Sequence, residues 1–350
     1  MKKIPVVLCI DVEPDEREID ITAPKEWEGF KKTSGFFIAL RSRLEEATQA
    51  PVSFSWFVRM DPQIEHAYGQ SWWVAKRYGD VIAQLEAAGD EIGLHTHAWR
   101  WRQDWHRWII DHGDQQWVNH CVNMSFEAYQ TVFGRSCISF RFGDRWMSDA
   151  TMDLLEKVGV QFDLTIEPGV KATIEELHTG SFPDYTDSPR YPYRPSQKNL
   201  TKDDPMQARG LWIIPLSTGT RSDCFTAIKH VALTLGVGLQ SPDENLHLNL
   251  ALQPRWFRKF VNKLIAADNC YLAPVVRTDV GVNRVAMNHM ERNVKFILSH
   301  PLLKHFTFVR PAKAVELLTR AASITDPIHR PADLLRTGSG AYVKAPGSGA

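Results

Sequence analysis

The chain has 350 residues, 43% of them hydrophobic, and balances 41 basic against 41 acidic side chains for a formal net charge of +0. That length carries one large domain with a sizeable core. A neutral chain with no block of like charge offers neither the footprint of a nucleic-acid binder nor a cationic face for membranes, so no nucleic-acid partner is expected.

Two lysines precede the first apolar run, which Pro5 interrupts and Asp11 ends with no small-residue cleavage site behind it. It therefore reads as a buried strand and not as an export signal. Strands are predicted at 5–12, 52–60, 91–96, 137–142, 162–166, 211–216, 271–276 and 306–309. Helices are predicted at 34–48, 71–88, 114–133, 148–158, 223–235, 254–267, 284–298 and 312–322. Such alternation predicts an α/β fold, a distorted (β/α) barrel of about seven or eight parallel strands. Residues 1–325 are expected to form a single catalytic barrel domain, with an excursion at 169–209, rich in Pro, Tyr, Asp and Thr, over its mouth. Residues 326–350, rich in Pro, Gly and Ser, read as a disordered tail. No stretch approaches the length of a membrane span. Cys9, Cys121, Cys137, Cys224 and Cys270 are scattered and odd in number, which fits reduced thiols and a cytoplasmic protein.

The charges gather at strand ends, in pairs two residues apart. Asp11 and Glu13 close the first strand, Arg59 and Asp61 the second, His95 and His97 the third, Arg141 and Gly143-Asp144 the fourth. Residues i and i+2 share one face of a strand, and barrel enzymes carry their chemistry on C-terminal strand ends. Two imidazoles so placed, about 6.5–7 Å apart along the backbone, can converge on one divalent ion, with zinc expected and a position left for water. Asp11 and Glu13 would divide labour, one as ligand and the other as general base. Arg141 is costly to bury alone, so a pairing with one of these acids is expected. Indoles crowd the same region, and Trp99 and Trp146 are candidates for stacking on pyranose faces.

At these residues the chain resembles the polysaccharide deacetylases, the NodB-homology domains of the family-four carbohydrate esterases. Within them it is most similar to the WalW-like branch associated with lipopolysaccharide biosynthesis. The resemblance rests on Cys9-Ile-Asp11-Val-Glu13-Pro-Asp15, on Gly89-Asp-Glu-Ile-Gly-Leu-His95-Thr-His97-Ala-Trp99, and on Phe140-Arg141-Phe-Gly143-Asp144-Arg-Trp146. It runs from the first strand to the helix after Pro311. It implies a NodB-like barrel holding a divalent metal through one acid and two histidines. By position Asp11 matches the base, Glu13 or Asp11 itself the metal acid, His95 and His97 the histidines, and Arg141 the arginine that orients the base.

The sequence departs from that pattern at several points. Val12 separates the two acids, the histidines are two apart in place of four, and the third motif lacks its proline. The last motif's histidine, the usual proton donor, is replaced in Val276-Arg277-Thr278-Asp279. A proton would then come from Asp279 or Asp61, with Arg277 recognising a charged glycan; Asp61 is otherwise expected to contact substrate. The function that follows is metal-dependent removal of an N-acyl group, typically acetyl, from an amino sugar of a cell-surface polysaccharide or lipopolysaccharide precursor. The alternatives are a catalytically degenerate barrel that binds glycan or a partner enzyme, and a two-carboxylate glycosidase.

Overall fold

A computed structural model describes residues 3–174, 177–221, 244–267 and 271–325. The helix expected at 223–235, the tail from 326, Cys224 and Cys270 lie outside the described residues. Among those described, no helix is long and apolar enough to cross a membrane, and Cys9, Cys121 and Cys137 are buried free thiols.

Seven strands build the central sheet: β1 Cys9–Val12, β2 Ser55–Arg59, β3 Glu91–Thr96, β4 Ser139–Phe142, β5 Phe162–Asp163, β6 Trp212–Ile213 and β7 Val275–Arg277. Their spatial order is β6-β5-β4-β3-β2-β1-β7 and every pair is parallel. The sheet curls until its edges meet: the Ser217 N–H donates to the Ala273 carbonyl at 3.0 Å, and the Ala273 N–H to Ser217 Oγ at 2.9 Å. This is the expected distorted barrel. The strand expected over 5–12 is two, because the chain changes partners midway. Ile4–Val6 pairs with Phe306–Phe308, and the Val7 N–H then turns to the Leu272 carbonyl at 2.8 Å.

The helices are α1 Glu28–Thr48, α2 Pro62–Tyr68, α3 Trp73–Arg77, α4 Gly79–Ala87, α5 Gln115–Phe133, α6 Asp149–Lys157, α7 Pro254–Ile265, α8 Arg284–Leu298 and α9 Pro311–Thr325. In α5 the Asp114 carboxylate caps the N–H groups of Gln116 and Trp117, and Gly134 ends the helix at φ 64°. Between them Val118, Cys121, Val122, Ser125 and Tyr129 form the buried face, and the Tyr129 hydroxyl donates to the Ile92 carbonyl at 2.7 Å. The hairpin Trp99–Arg102 and Arg107–Asp111 follows β3 at once. Within the excursion, Phe182 reaches the barrel mouth, whereas Leu200 packs beside α6 with its N–H on Asp149 at 3.1 Å.

Alternation along the strands divides the core in two. Ile10, Val12, Trp56, Val58, Leu94 and Phe140 face the helices. Cys9, Phe57, Leu164, Ile214 and Val275 fill the barrel. The inward series then turns polar toward the C-terminal ends: Asp11 and Glu13 on β1, Arg59 on β2, His95 and His97 on β3, Arg141 on β4. Register puts Arg59 beside His95 and His95 beside Arg141, with Asp11 beside Arg277. A layer of charge therefore sits on an apolar floor.

Candidate active site

Three buried donor groups converge at the barrel mouth. Glu13 Oε1 lies 3.2 Å from His95 Nε2 and 3.3 Å from His97 Nε2, and the two nitrogens are 3.0 Å apart. The partners on the far sides of the rings fix the tautomers. His95 Nδ1 donates to the Arg141 carbonyl at 2.9 Å, and His97 Nδ1 to Asp144 Oδ2 at 2.7 Å. Trp99 Nε1 also points at His97 Nδ1, but at 3.2 Å and against a neutral nitrogen it is the weaker claim. Both Nε2 lone pairs therefore face Glu13 Oε1. Three electron-rich atoms at such spacing repel unless a cation or proton lies among them. Tetrahedral zinc ligands about 2.0–2.2 Å from the ion stand roughly 3.3–3.5 Å from one another, so the group fits a divalent metal.

Glu13 is held from behind. Its Oε2 accepts from Arg59 Nη1 at 3.2 Å and lies 3.6 Å from Arg277, and its backbone exchanges hydrogen bonds with the Thr278 hydroxyl. Burial alone would raise this carboxyl, but Arg277 and the two histidines keep it well below the usual carboxylate range. His97 is likewise pushed down by burial, and Asp144 and Glu13 outweigh that, leaving it raised. Asp144 stands just past Gly143 at φ 53°, followed by Arg145 at φ 49°. Two consecutive left-handed residues with side chains cost roughly 1–2 kcal/mol each. The ion pair of Asp144 with Arg17 and its bond to His97 hold them there.

Asp11 is a separate unit. Arg141 Nε donates to both of its oxygens, at 2.9 and 3.1 Å, while Arg141 Nη1 donates to the Leu164 carbonyl at 2.8 Å. Both residues are buried, yet both line a cleft of about 280 Å³ together with Glu13, His95 and His97. Arg17, Arg145, Glu167, Phe182, His247 and Arg277 complete the lining that matters below.

Several expected substrate contacts sit elsewhere. Asp61 is fully buried: it pairs with Arg59 at 2.9 Å, caps α2 through the Gln63 N–H and accepts the His97 N–H at 3.0 Å, so no oxygen reaches the cleft. The Asp61-Pro62 pair is a helix-start signal. Trp99 is buried against His97, and Trp146 stacks on His112 with centroids 4.6 Å apart; neither lines the cleft. Asp279 pairs with Arg277 at 3.2 Å and is also absent from the lining. Sequence reasoning gave no role to His247, and no short motif links it to Glu167, since they meet only in the fold.

Gly143 makes room for the His97 ring. A Cβ there would lie 2.1 Å from His97 Cε1 and Nε2. Gly143→Ala should displace that imidazole and weaken any binding of a divalent ion by Glu13, His95 and His97 by about 10–100-fold, the span that misplacing a ligand costs. Competition with a chromophoric chelator measures it, and unchanged affinity would show that the ring has room to move.

No family model matches the chain, and no curated protein matches it in sequence. Solved structures do. A candidate glycoside hydrolase/deacetylase from Parabacteroides distasonis superposes with a TM-score of 0.53 at 12% identity, covering 91% of this chain and 72% of that one. The chain has a NodB-like fold. A candidate polysaccharide deacetylase from Pseudomonas aeruginosa PAO1 gives 0.48 at 15% identity, covering 91% of each chain. The peptidoglycan deacetylase PdaC from Bacillus subtilis gives 0.38 at 8%, covering 92% of this chain and 95% of that one.

Proposed function

We propose that this protein is a divalent-metal-dependent hydrolase, zinc being the expected ion, that removes an N-acetyl group from an amino sugar. The convergence of Glu13, His95 and His97 beside the Arg141-held Asp11 in one cleft carries this reading. Bound there, a divalent ion supplies Lewis acidity toward the amide carbonyl and makes water easier to deprotonate. Asp11, aimed by Arg141, accepts the proton of the attacking water. The aryl and guanidinium groups of Phe182 and Arg145, stacked at 4.8 Å, border the space for the sugar.

A glycosidase needs a carboxylic acid that keeps its proton near neutral pH. Burial would raise Asp144 and Glu167, but His97 holds the one down and His247 the other, so both lie below the ordinary range. Asp163 is pushed up to about 7 by burial, but it is sealed from the cleft. The hydrolase reading also gives the histidines a task, which the glycosidase reading does not.

The amino sugar belongs to a cell-surface glycan or a lipopolysaccharide precursor, in keeping with the WalW-like resemblance, and is processed in the cytoplasm. Arg277 favours an anionic substrate. Its Nε has no hydrogen-bond partner among the described residues, its side chain is 29% exposed, and it borders the cleft. The lining sets Arg17, Arg141, Arg145 and Arg277 against Asp11, Glu13, Asp144 and Glu167, so a bound divalent ion leaves an excess of positive charge. Turnover of N-acetylglucosamine, its 1-phosphate and an N-acetylated uronic acid by the zinc-loaded chain tests both points. Arg277→Ala should lower kcat/KM for the anionic sugars by about 10–100-fold more than for the neutral one, as loss of a charge-assisted contact does. No turnover of any of them would overturn the hydrolase reading; equal losses on all would overturn the anionic preference alone.

A further inference from the structure

Among the described residues four arginines line the cleft, and three of them face acids of the protein itself. Arg17 pairs with Asp144, Arg141 holds Asp11 at 2.9 Å, and Arg277 lies 3.2 Å from Asp279 and 3.6 Å from Glu13. Arg145 makes no ion pair among the described residues. Its charge reaches Glu167 through space, and that carboxylate already has His247 at 3.3 Å.

What the Arg145 side chain touches is neutral. Nη2 donates to the Thr173 hydroxyl at 2.7 Å, the guanidinium lies over the Phe182 ring at 4.8 Å, and Nε is buried without a hydrogen-bond partner. A buried donor left unpaired is costly and calls for an explanation. The backbone is bent to present this side chain. Arg145 sits at φ 49°, in the left-handed region that a Cβ disfavours, and its carbonyl accepts from the Tyr185 hydroxyl at 2.8 Å. A guanidinium resting on an aromatic face keeps the N–H groups of its planar fork for an oxyanion. Its place in the barrel matters as well. Arg145 follows β4 and Arg277 ends β7; β3, β2 and β1 separate them on one side, β5 and β6 on the other. The two residues therefore stand on opposite sides of the mouth.

We propose that Arg145, seated on Phe182, is a specificity-determining residue that binds an oxyanion of the substrate, a carboxylate or a phosphate, on the side away from Arg277. The substrate class is then an acidic amino sugar, either an N-acetylated aminouronic acid or an N-acetylhexosamine 6-phosphate. The assignment rests on the hydrolase reading above and extends it to a second wall of the cleft. Arg145 meets the sugar and not the scissile amide, so its loss acts mainly on KM.

Substrates that differ only in charge separate this role from a structural one. The panel is the N-acetylated aminouronic acid, its methyl ester, N-acetylglucosamine 6-phosphate and N-acetylglucosamine. In the zinc-loaded full chain, Arg145→Ala should lower kcat/KM for at least one of the two acidic sugars by about 10–100-fold more than for its neutral counterpart, chiefly through KM. The acid that suffers the larger loss tells whether the site takes carboxylate or phosphate. Arg145→Lys, which keeps the charge and loses the planar fork, should recover only part of the preference. Arg145→Gly suits φ 49° and gives a second variant without the side chain should alanine fold poorly. Equal losses on charged and neutral sugars, or an acidic preference that survives Arg145→Ala and Arg145→Gly, would overturn the assignment and leave the hydrolase reading intact. Wild type that cleaves none of the four would overturn both.

Discussion

Replacing His95 and His97 together by alanine should remove the bound divalent ion and at least about 10³-fold of turnover, while the barrel stays folded. The ion would be held by two imidazoles and one carboxylate oxygen, and Glu13 alone, shared with Arg59 and Arg277, is a poor ligand set. A Lewis acid contributes several kcal/mol to a charged transition state, and each 1.36 kcal/mol is a factor of ten in rate. Folding suffers less because the double substitution strands no charge. Glu13 keeps its pairing with Arg59, and Asp144 keeps Arg17. Elemental analysis should find one ion per chain in wild type and almost none in the variant. Zinc should raise the melting temperature of wild type only, since a ligand stabilises the state that binds it. A variant that kept its ion and its turnover would sink the metal reading.

How far the site could be read from sequence depended on periodicity. Asp11 with Glu13, and His95 with His97, are i and i+2 pairs on apolar strands, so their common inward face follows from the pleat alone. The apolar runs likewise announce a barrel, because strands buried on both faces read as continuous hydrophobic stretches. Asp61 was harder. Its side chain also points inward, but Pro62 starts a helix directly after it, and a cap that bonds the Gln63 N–H is committed before any substrate arrives. Trp99 and Trp146 illustrate a different loss. Aromatic residues near strand ends suit sugar stacking and core packing equally, and only the hairpin Trp99–Asp111, folded back over the strand, buries Trp99. Glu167 and His247 are 80 residues apart and meet because β5, the segment after β6 and the strand Glu244–His247 are brought together by pairing. No local pattern encodes that meeting.

The two acids of the first strand can be told apart by what each loses. Asp11→Asn keeps the shape of the side chain and removes its ability to take a proton, so kcat/KM should fall by about 10²–10⁴-fold, the range general bases supply. Arg141 would then be buried against a neutral amide, with the neutral Leu164 carbonyl as its other hydrogen-bond partner. Breaking one side of a buried pair typically costs about 3–5 kcal/mol, so the urea midpoint should fall as well. Arg141→Ala should fall by a similar amount for the mirror reason, and the pair should be strongly non-additive in a double-mutant cycle, since the second substitution removes the charge that the first had stranded. Metal content separates the two carboxylates. Asp11→Asn should retain its ion, because the oxygen 3.2–3.3 Å from both histidine nitrogens belongs to Glu13. Glu13→Gln should lose most of it, since a neutral amide oxygen is a weaker ligand than a carboxylate and Arg59 would keep only Asp61 as a countercharge. The opposite pattern, an ion lost with Asp11 and kept without Glu13, would exchange their roles: Asp11 would be the ligand, and the arginine-held carboxylate could no longer serve as the base.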